Sequence, residues 1–217
     1  MVTLEQVSKR IFSEPNWFVK TVVGAILMFF PVPFVFAFGY IYRVSAMARR
    51  GQPPDLPDWD DWPGLWFDGL RMLAIVLGLA IVPIFAGWLV SLPLRLMLAP
   101  MPFYPMLAPF LYLPMVPGLF LSFPLTAAGL YRFQRAEEFH EAFRIPMLLR
   151  MIVATKGRLV LPTLGFLGLV VAIFPLFPYA LFTGGVVVFY YSSAVFRQIE
   201  SSRRTHVSAQ AVVRRYT

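Results

Sequence analysis

The sequence predicts an all-α fold: a polytopic helical membrane protein built of helical hairpins with interfacial amphipathic helices. Three observations predict it. The chain is 59% hydrophobic and only 14% charged, with mean hydropathy +0.69 over 217 residues, which excludes an ordinary soluble domain. Its apolar residues gather into the uncharged stretches 21–42, 72–94, 96–131 and 159–196. Between the first two lies PPDLPDWDDWPGLWFDG (53–69), where five of the eleven acidic residues are interleaved with Trp59, Trp62 and Trp66. Aromatic rings mixed with charge, between segments too apolar for water, suit the membrane–water boundary.

Taken in order, residues 3–12 open with Thr3-x-x-Gln6, a capping-box spacing, and place Leu4, Val7 and Ile11 on one face. An interfacial helix is expected there. No apolar core precedes a cleavage-type site in the first sixteen residues, so a cleaved signal peptide is not expected. Ser13 is the expected cap of the next helix, with Pro15 in its first turn. Pro31 and Pro33 then allow two topologies for 14–48. One kinked span over 21–42 would reach about 33 Å, while a hairpin would have arms of roughly 22–25 Å against a hydrocarbon core of ~30 Å.

Residues 72–131 predict a second hairpin, with the prolines from Pro100 to Pro109 making 96–108 a far-side loop or re-entrant segment. Residues 132–157 read as an interfacial elbow of two short amphipathic helices broken at Pro146. The third hairpin, 159–196, is 38 uncharged positions with Pro175 and Pro178 near the middle. A basic tail, 197–217, is expected to fray after residue 205. With three hairpins, eighteen of the nineteen Lys and Arg fall on one side and Arg95 alone on the other. A single first span moves Lys9, Arg10 and Lys20 across to join it. Both arrangements obey the positive-inside rule, the hairpin more strictly, and place both termini in the cytoplasm for the former. An echo between 10–43 and 150–197, each a helix, a Phe-Pro break and a helix ending at Tyr and Arg, is what a duplicated unit would leave.

The FSEPNW entry, the GYIYRVSAMARRG exit, the LPDWDDWPGLWFDGL belt and the AFRIPMLLRM elbow resemble an uncharacterised prokaryotic membrane family, domain of unknown function 4013. The resemblance covers residues 7–200 and implies a place in the membrane, with no catalytic residue to carry over.

Candidate chemistry is sparse. Asp58, Asp60 and Asp61 could ligate Mg²⁺ or Ca²⁺, but the stretch lacks the central Gly and distal Glu of an EF-hand loop. Asp61 is better placed as N-cap of a helix starting at Trp62-Pro63, with Asp60 favoured by the helix dipole. Arg43, Arg49 and Arg50 are the expected partners of the belt, which runs on to Asp68, with lipid phosphates competing for them. His140 and His206 are too few for a metal site, and Ser91, Ser122, Ser192 and Ser193 have no base beside them in sequence. The chain has no cysteine, so disulfides and thiolate chemistry are excluded. No carboxylate or histidine lies in the apolar stretches, which disfavours ion-coupled transport. Gly165, Gly168 and the Gly184-Gly185 pair are expected at close helix contacts. These readings lead to a non-enzymatic protein of the cytoplasmic membrane, without cofactor. Its expected role is accessory or assembly subunit or lipid-organising protein, alone or as a homo-oligomer, with anionic headgroups rather than nucleic acid as partners. The alternative is a permease or scramblase for an uncharged or amphipathic substrate.

Overall fold

The computed structural model describes residues 3–216, with side chains to residue 202. The chain is all-helical, with no strand among the described residues. In order the helices are α1 (Leu4–Phe12), α2 (Trp17–Phe29), α3 (Phe34–Arg50), α4 (Trp62–Val76), α5 (Val82–Leu98), α6 (Tyr104–Leu107), α7 (Met115–Ala136), α8 (Phe139–Ala142), α9 (Ile145–Ala154), α10 (Val160–Ala172) and α11 (Phe177–Tyr216). A π-helical turn, Leu77–Ile81, joins α4 to α5 without a break. It lies just ahead of Pro83, which has no N–H to return to the preceding turn.

Three helical stretches are long and apolar enough to cross a membrane: Trp62–Leu98, Tyr104–Ala136 and Phe174–Ser202. The third is the axis of the molecule. It is 89% buried over its most apolar window, against 17% and 22% for the other two, and α1, α2, α3, α7 and α10 all pack on α11. Around it Ile11, Tyr40, Leu65, Met72, Ile75, Leu130, Leu148 and Phe182 are fully buried.

Several expectations change. The stretch 21–42 is not one span: α2 stops at Phe29, α3 starts at Phe34, and the two helices pack on each other. Ser13 closes α1 by bonding Arg10 O rather than opening α2, whose N-cap is Asn16. The belt is not uniformly interfacial coil, because from Trp62 it is already the first turn of a 37-residue helix. The proline-rich loop shrinks to 99–103, since Pro105 and Pro109 lie in first turns, where a missing N–H is harmless. The elbow breaks at Phe143-Arg144, and Pro146 stands in the first turn of α9. The backbone of the tail continues α11 to Tyr216 instead of fraying, and the side chain of His206 lies outside the described residues.

Glycine contacts also differ. Gly165 and Gly168 face open space on α10, whereas Gly184 and Gly185 meet Phe166 and Ile41. The closest backbone approaches come as two reciprocal pairs that the sequence did not mark. Between antiparallel α3 and α4, a Cβ on Gly39 would lie 1.9 Å from Leu65 O, and one on Gly69 1.9 Å from Val35 O. Between α5 and α7, Gly87 lies against Pro114 O and Gly118 against Pro83 O. Each helix of each pair carries a glycine four residues from the carbonyl that its neighbour's glycine meets, the small-residue seam that lets helices touch through their backbones.

Candidate functional site

Gly51 ends α3 in the left-handed conformation (φ +79°), and the chain then runs without regular structure across residues 52–61. This strap is tied down at several points. Tyr190 Oη donates to Gln52 O at 2.6 Å and Tyr40 Oη to Pro57 O at 2.8 Å. Glu14 and Lys20 form a clamp: Lys20 Nζ bonds Glu14 Oε1 (2.6 Å), Leu56 O (2.5 Å) and Asp58 Oδ1 (2.9 Å), while Leu56 N–H donates to Glu14 Oε2 (2.7 Å). Lys20 and Glu14 side chains are only 12% and 22% exposed, so the clamp is screened far less than a surface pair. Arg10 reaches Asp55 at 3.3 Å. These bonds put α1 and the start of α2 at the same end of the molecule as the strap.

Asp61 is the N-cap of α4, its Oδ1 accepting Gly64 N–H at 3.1 Å, and its Oδ2 takes Arg43 Nη2 at 2.6 Å. The Arg43 bond, then the Gly64 bond, hold the Asp61 carboxyl below its usual range. Asp60 Oδ1 accepts Asp61 N–H. Asp68 Oδ2 takes Arg43 Nε at 3.0 Å and Oδ1 takes Arg71 at 3.2 Å. Arg43 thus joins the cap of α4 to its second turn from the facing helix.

The tryptophans divide. Trp59 is not a headgroup-level ring: it stacks on Tyr40 (4.3 Å, 20°), lies 6.0 Å from Phe182 and donates Nε1–H to Lys20 O at 3.3 Å. It plugs the helix core from the strap because Tyr40 and Phe182 offer an apolar face there. Trp62, 40% exposed, and Trp66 both pack on Phe36.

Of the expected basic partners, only Arg43 meets the belt. Arg50 is exposed at the end of α3. Arg49 points away, into a cleft shared with Tyr131, Arg135, Arg197, Glu200 and Ser201. The partners that sequence reasoning missed, Arg10, Glu14 and Lys20, have no local signal, since each meets the strap across 36 to 45 residues of chain. Their side of the membrane was legible in the charge count; their pairing was not. At the elbow, Glu141 pairs with Arg132 and with Arg144 (2.8 Å), and Gln134 Nε2–H donates to Tyr42 O at 3.0 Å. Among the described residues no group of three or more His, Asp or Glu side chains is placed to hold a metal ion. Ser91, Ser122 and Ser192 bond carbonyls of their own helices, and Ser45 and Ser193 bond each other.

The architecture and its strap define a helical membrane protein whose belt carboxylates are engaged in holding helix ends together. The chain matches the family described as Protein of unknown function (DUF4013) over residues 22–195, and it belongs to that family. Arg43, Asp61 and Asp68 lie inside the match, whereas Arg10, Glu14 and Lys20 precede it. No curated protein and no solved structure matches the chain.

Proposed function

We propose that the protein is a non-enzymatic component of the cytoplasmic membrane, an accessory or assembly subunit, with α1, the strap, the elbow and the C-terminus on the cytoplasmic side. The observation that carries this reading is where the apolar surface lies. The centre, between α3, α4, α7 and α11, is filled by Tyr40, Leu65, Met72, Leu130 and Phe182. The arm formed by α5 and the first half of α7 is apolar and largely uncovered, with Leu89, Met97, Met106 and Phe110 between 53% and 78% exposed. Two helices sealed by a glycine–proline seam and bare on their outer faces suit docking against another membrane protein's helices. A lipid-organising role is the version of this reading in which the arm meets only lipid.

A permease or scramblase is the second reading. It rests on an apolar groove of about 770 Å³ between α2 and the 175–179 turn, lined by Phe18, Ile26, Phe29, Leu176 and Phe177. That groove opens sideways and lacks the charged side chains that a moving headgroup would need. Photo-crosslinking separates the readings. A photoreactive residue at Met97 is expected to give a discrete protein adduct in native membranes, and one at Val171 of α10 only lipid adducts. Only lipid adducts at Met97 would remove the subunit reading. Lipid flipping or solute flux above protein-free vesicles would replace it with the second.

A further inference from the structure

The ends of α3, α7 and α11 enclose a second charged site that the strap does not use. α3 and α11 lie side by side, and one register relates them: Tyr42-x-x-Ser45-Ala46-x-x-Arg49 repeats as Tyr190-x-x-Ser193-Ala194-x-x-Arg197, 148 residues later. At that register Ser45 Oγ and Ser193 Oγ meet at 2.8 Å in the buried seam. About one helical turn further on the same two positions are arginines. Arg49 and Arg197 both line a cleft of about 260 Å³.

The cleft's own acid does not balance them. Glu200 takes Arg135 Nη1 at 2.6 Å and Tyr131 Oη at 2.8 Å. Three arginines, 49, 135 and 197, therefore share one carboxylate, and Arg132 on the neighbouring wall is paired with Glu141. The Nε atoms of Arg49 and Arg132 are buried without a hydrogen-bond acceptor, an unfavourable state for a charged donor. Arginines in the last turns of α3 and α7 answer the helix dipoles, which accounts for Arg49 and Arg135 in part. It does not account for Arg197, which lies far from the end of α11 and whose guanidinium occupies the space a Cβ on Gly51 would need.

The wall beside this cleft is apolar. A narrower recess of about 90 Å³ shares Tyr131, Arg135 and Glu200 and is faced by Met147 and Met151 of α9 and Phe196 and Ile199 of α11. A cationic pocket continuous with an apolar wall, at the ends of apolar helices, matches an amphiphile with an anionic head. We infer that this cleft binds the phosphate of an anionic phospholipid, held by Arg49 and Arg197 with Arg135 at the rim, its glycerol and first methylenes lying along α9. Planar guanidiniums grip phosphate oxygens in pairs, and the volume accommodates a headgroup phosphate while the chains stay in the bilayer. The inference needs only that the chain sits in a membrane, so failure of the subunit reading leaves it standing.

The test uses the full chain in zwitterionic detergent, titrated with dioctanoyl phosphatidylglycerol, dioctanoyl phosphatidylcholine or inorganic phosphate. Binding is read by native mass spectrometry and the melting temperature by thermal shift. Phosphatidylglycerol is expected to bind at least tenfold more tightly than either competitor and to raise the melting temperature. The double variant Arg49→Gln/Arg197→Gln should lose at least tenfold of that affinity, while Arg150→Gln, an exposed arginine of α9, should lose none. With no anionic lipid present, the double variant should melt no lower than wild type, because two neighbouring like charges have been removed. A lower melt or a failure to fold there makes the arginines structural caps and overturns the proposal. Equal binding of the two lipids, or undiminished binding by the double variant, overturns it too. Inorganic phosphate binding as tightly as phosphatidylglycerol overturns the lipid as its source.

Discussion

Arg43 has two carboxylates to serve and one guanidinium to serve them with, and the two are unequal. Asp68 is 17% exposed and bonds both Arg43 and Arg71, whereas Asp61 is 58% exposed and has a backbone N–H as well. Asp58, 79% exposed, meets a lysine that already has Glu14. Asp68→Ala is therefore expected to cost about 1–3 kcal/mol, the loss of charge-assisted hydrogen bonds around a half-buried guanidinium. Asp58→Ala should cost under about 1 kcal/mol, as exposed pairs do. Melting temperatures in detergent give the ranking. If Asp58→Ala proved the more harmful, and EDTA lowered the melting temperature of the wild type, the carboxylates would be ion ligands instead. At this scale the capping role of Asp61 was legible, because Asp before Trp-Pro is a local signal. The Glu14–Lys20 clamp was not, because no local spacing announces a contact made only after the chain folds back.

Among the elements, the two glycine seams decide which helices pair. Gly39 and Gly69 sit against backbone carbonyls, which cannot rotate away as a side chain can. Gly39→Ala should separate α3 from α4, with a loss of about 3 kcal/mol or more, since overpacking of a rigid contact exceeds the usual range. Gly165→Ala meets nothing within 4 Å and should be neutral, or stabilising by up to about 1 kcal/mol through helix propensity. The pair of variants separates packing glycines from merely tolerated ones: equal destabilisation of both would mean that α3–α4 contact is not what Gly39 serves. The prolines of 83–117 carry the same lesson. Read along the chain they mark a loop, but Pro105, Pro109 and Pro117 fall in first turns of helical segments and Pro83 opens α5. Their backbone carbonyls at 83 and 114 become the surface that Gly118 and Gly87 touch.

For the whole molecule, Arg10–Asp55, Glu14–Leu56 and Tyr190–Gln52 hold three distant parts of the chain at one end, whereas Arg95 lies over the Tyr112 ring (4.8 Å) beyond the apolar arm. Single-cysteine labelling is clean because the chain has no cysteine. An impermeant maleimide applied outside should reach Ala99→Cys and miss Ser8→Cys; labelling at position 8 would put α1 on the far side and undo the proposed orientation. Composition alone determined the helical class and the membrane setting, because every backbone polar group in a bilayer must be bonded within its own segment and only helices do that locally. Charge placement determined which segments share an end, because each cation avoids the hydrocarbon whatever its partner. Tertiary structure alone decided that α11 is the axis, that Trp59 is a plug rather than an anchor, and that Arg49 leaves the belt for the Arg197 cleft. Those outcomes depend on which helix faces meet, and facing is set by backbone approach at Gly39, Gly69, Gly87 and Gly118, a property of two segments at once that neither segment's sequence carries by itself.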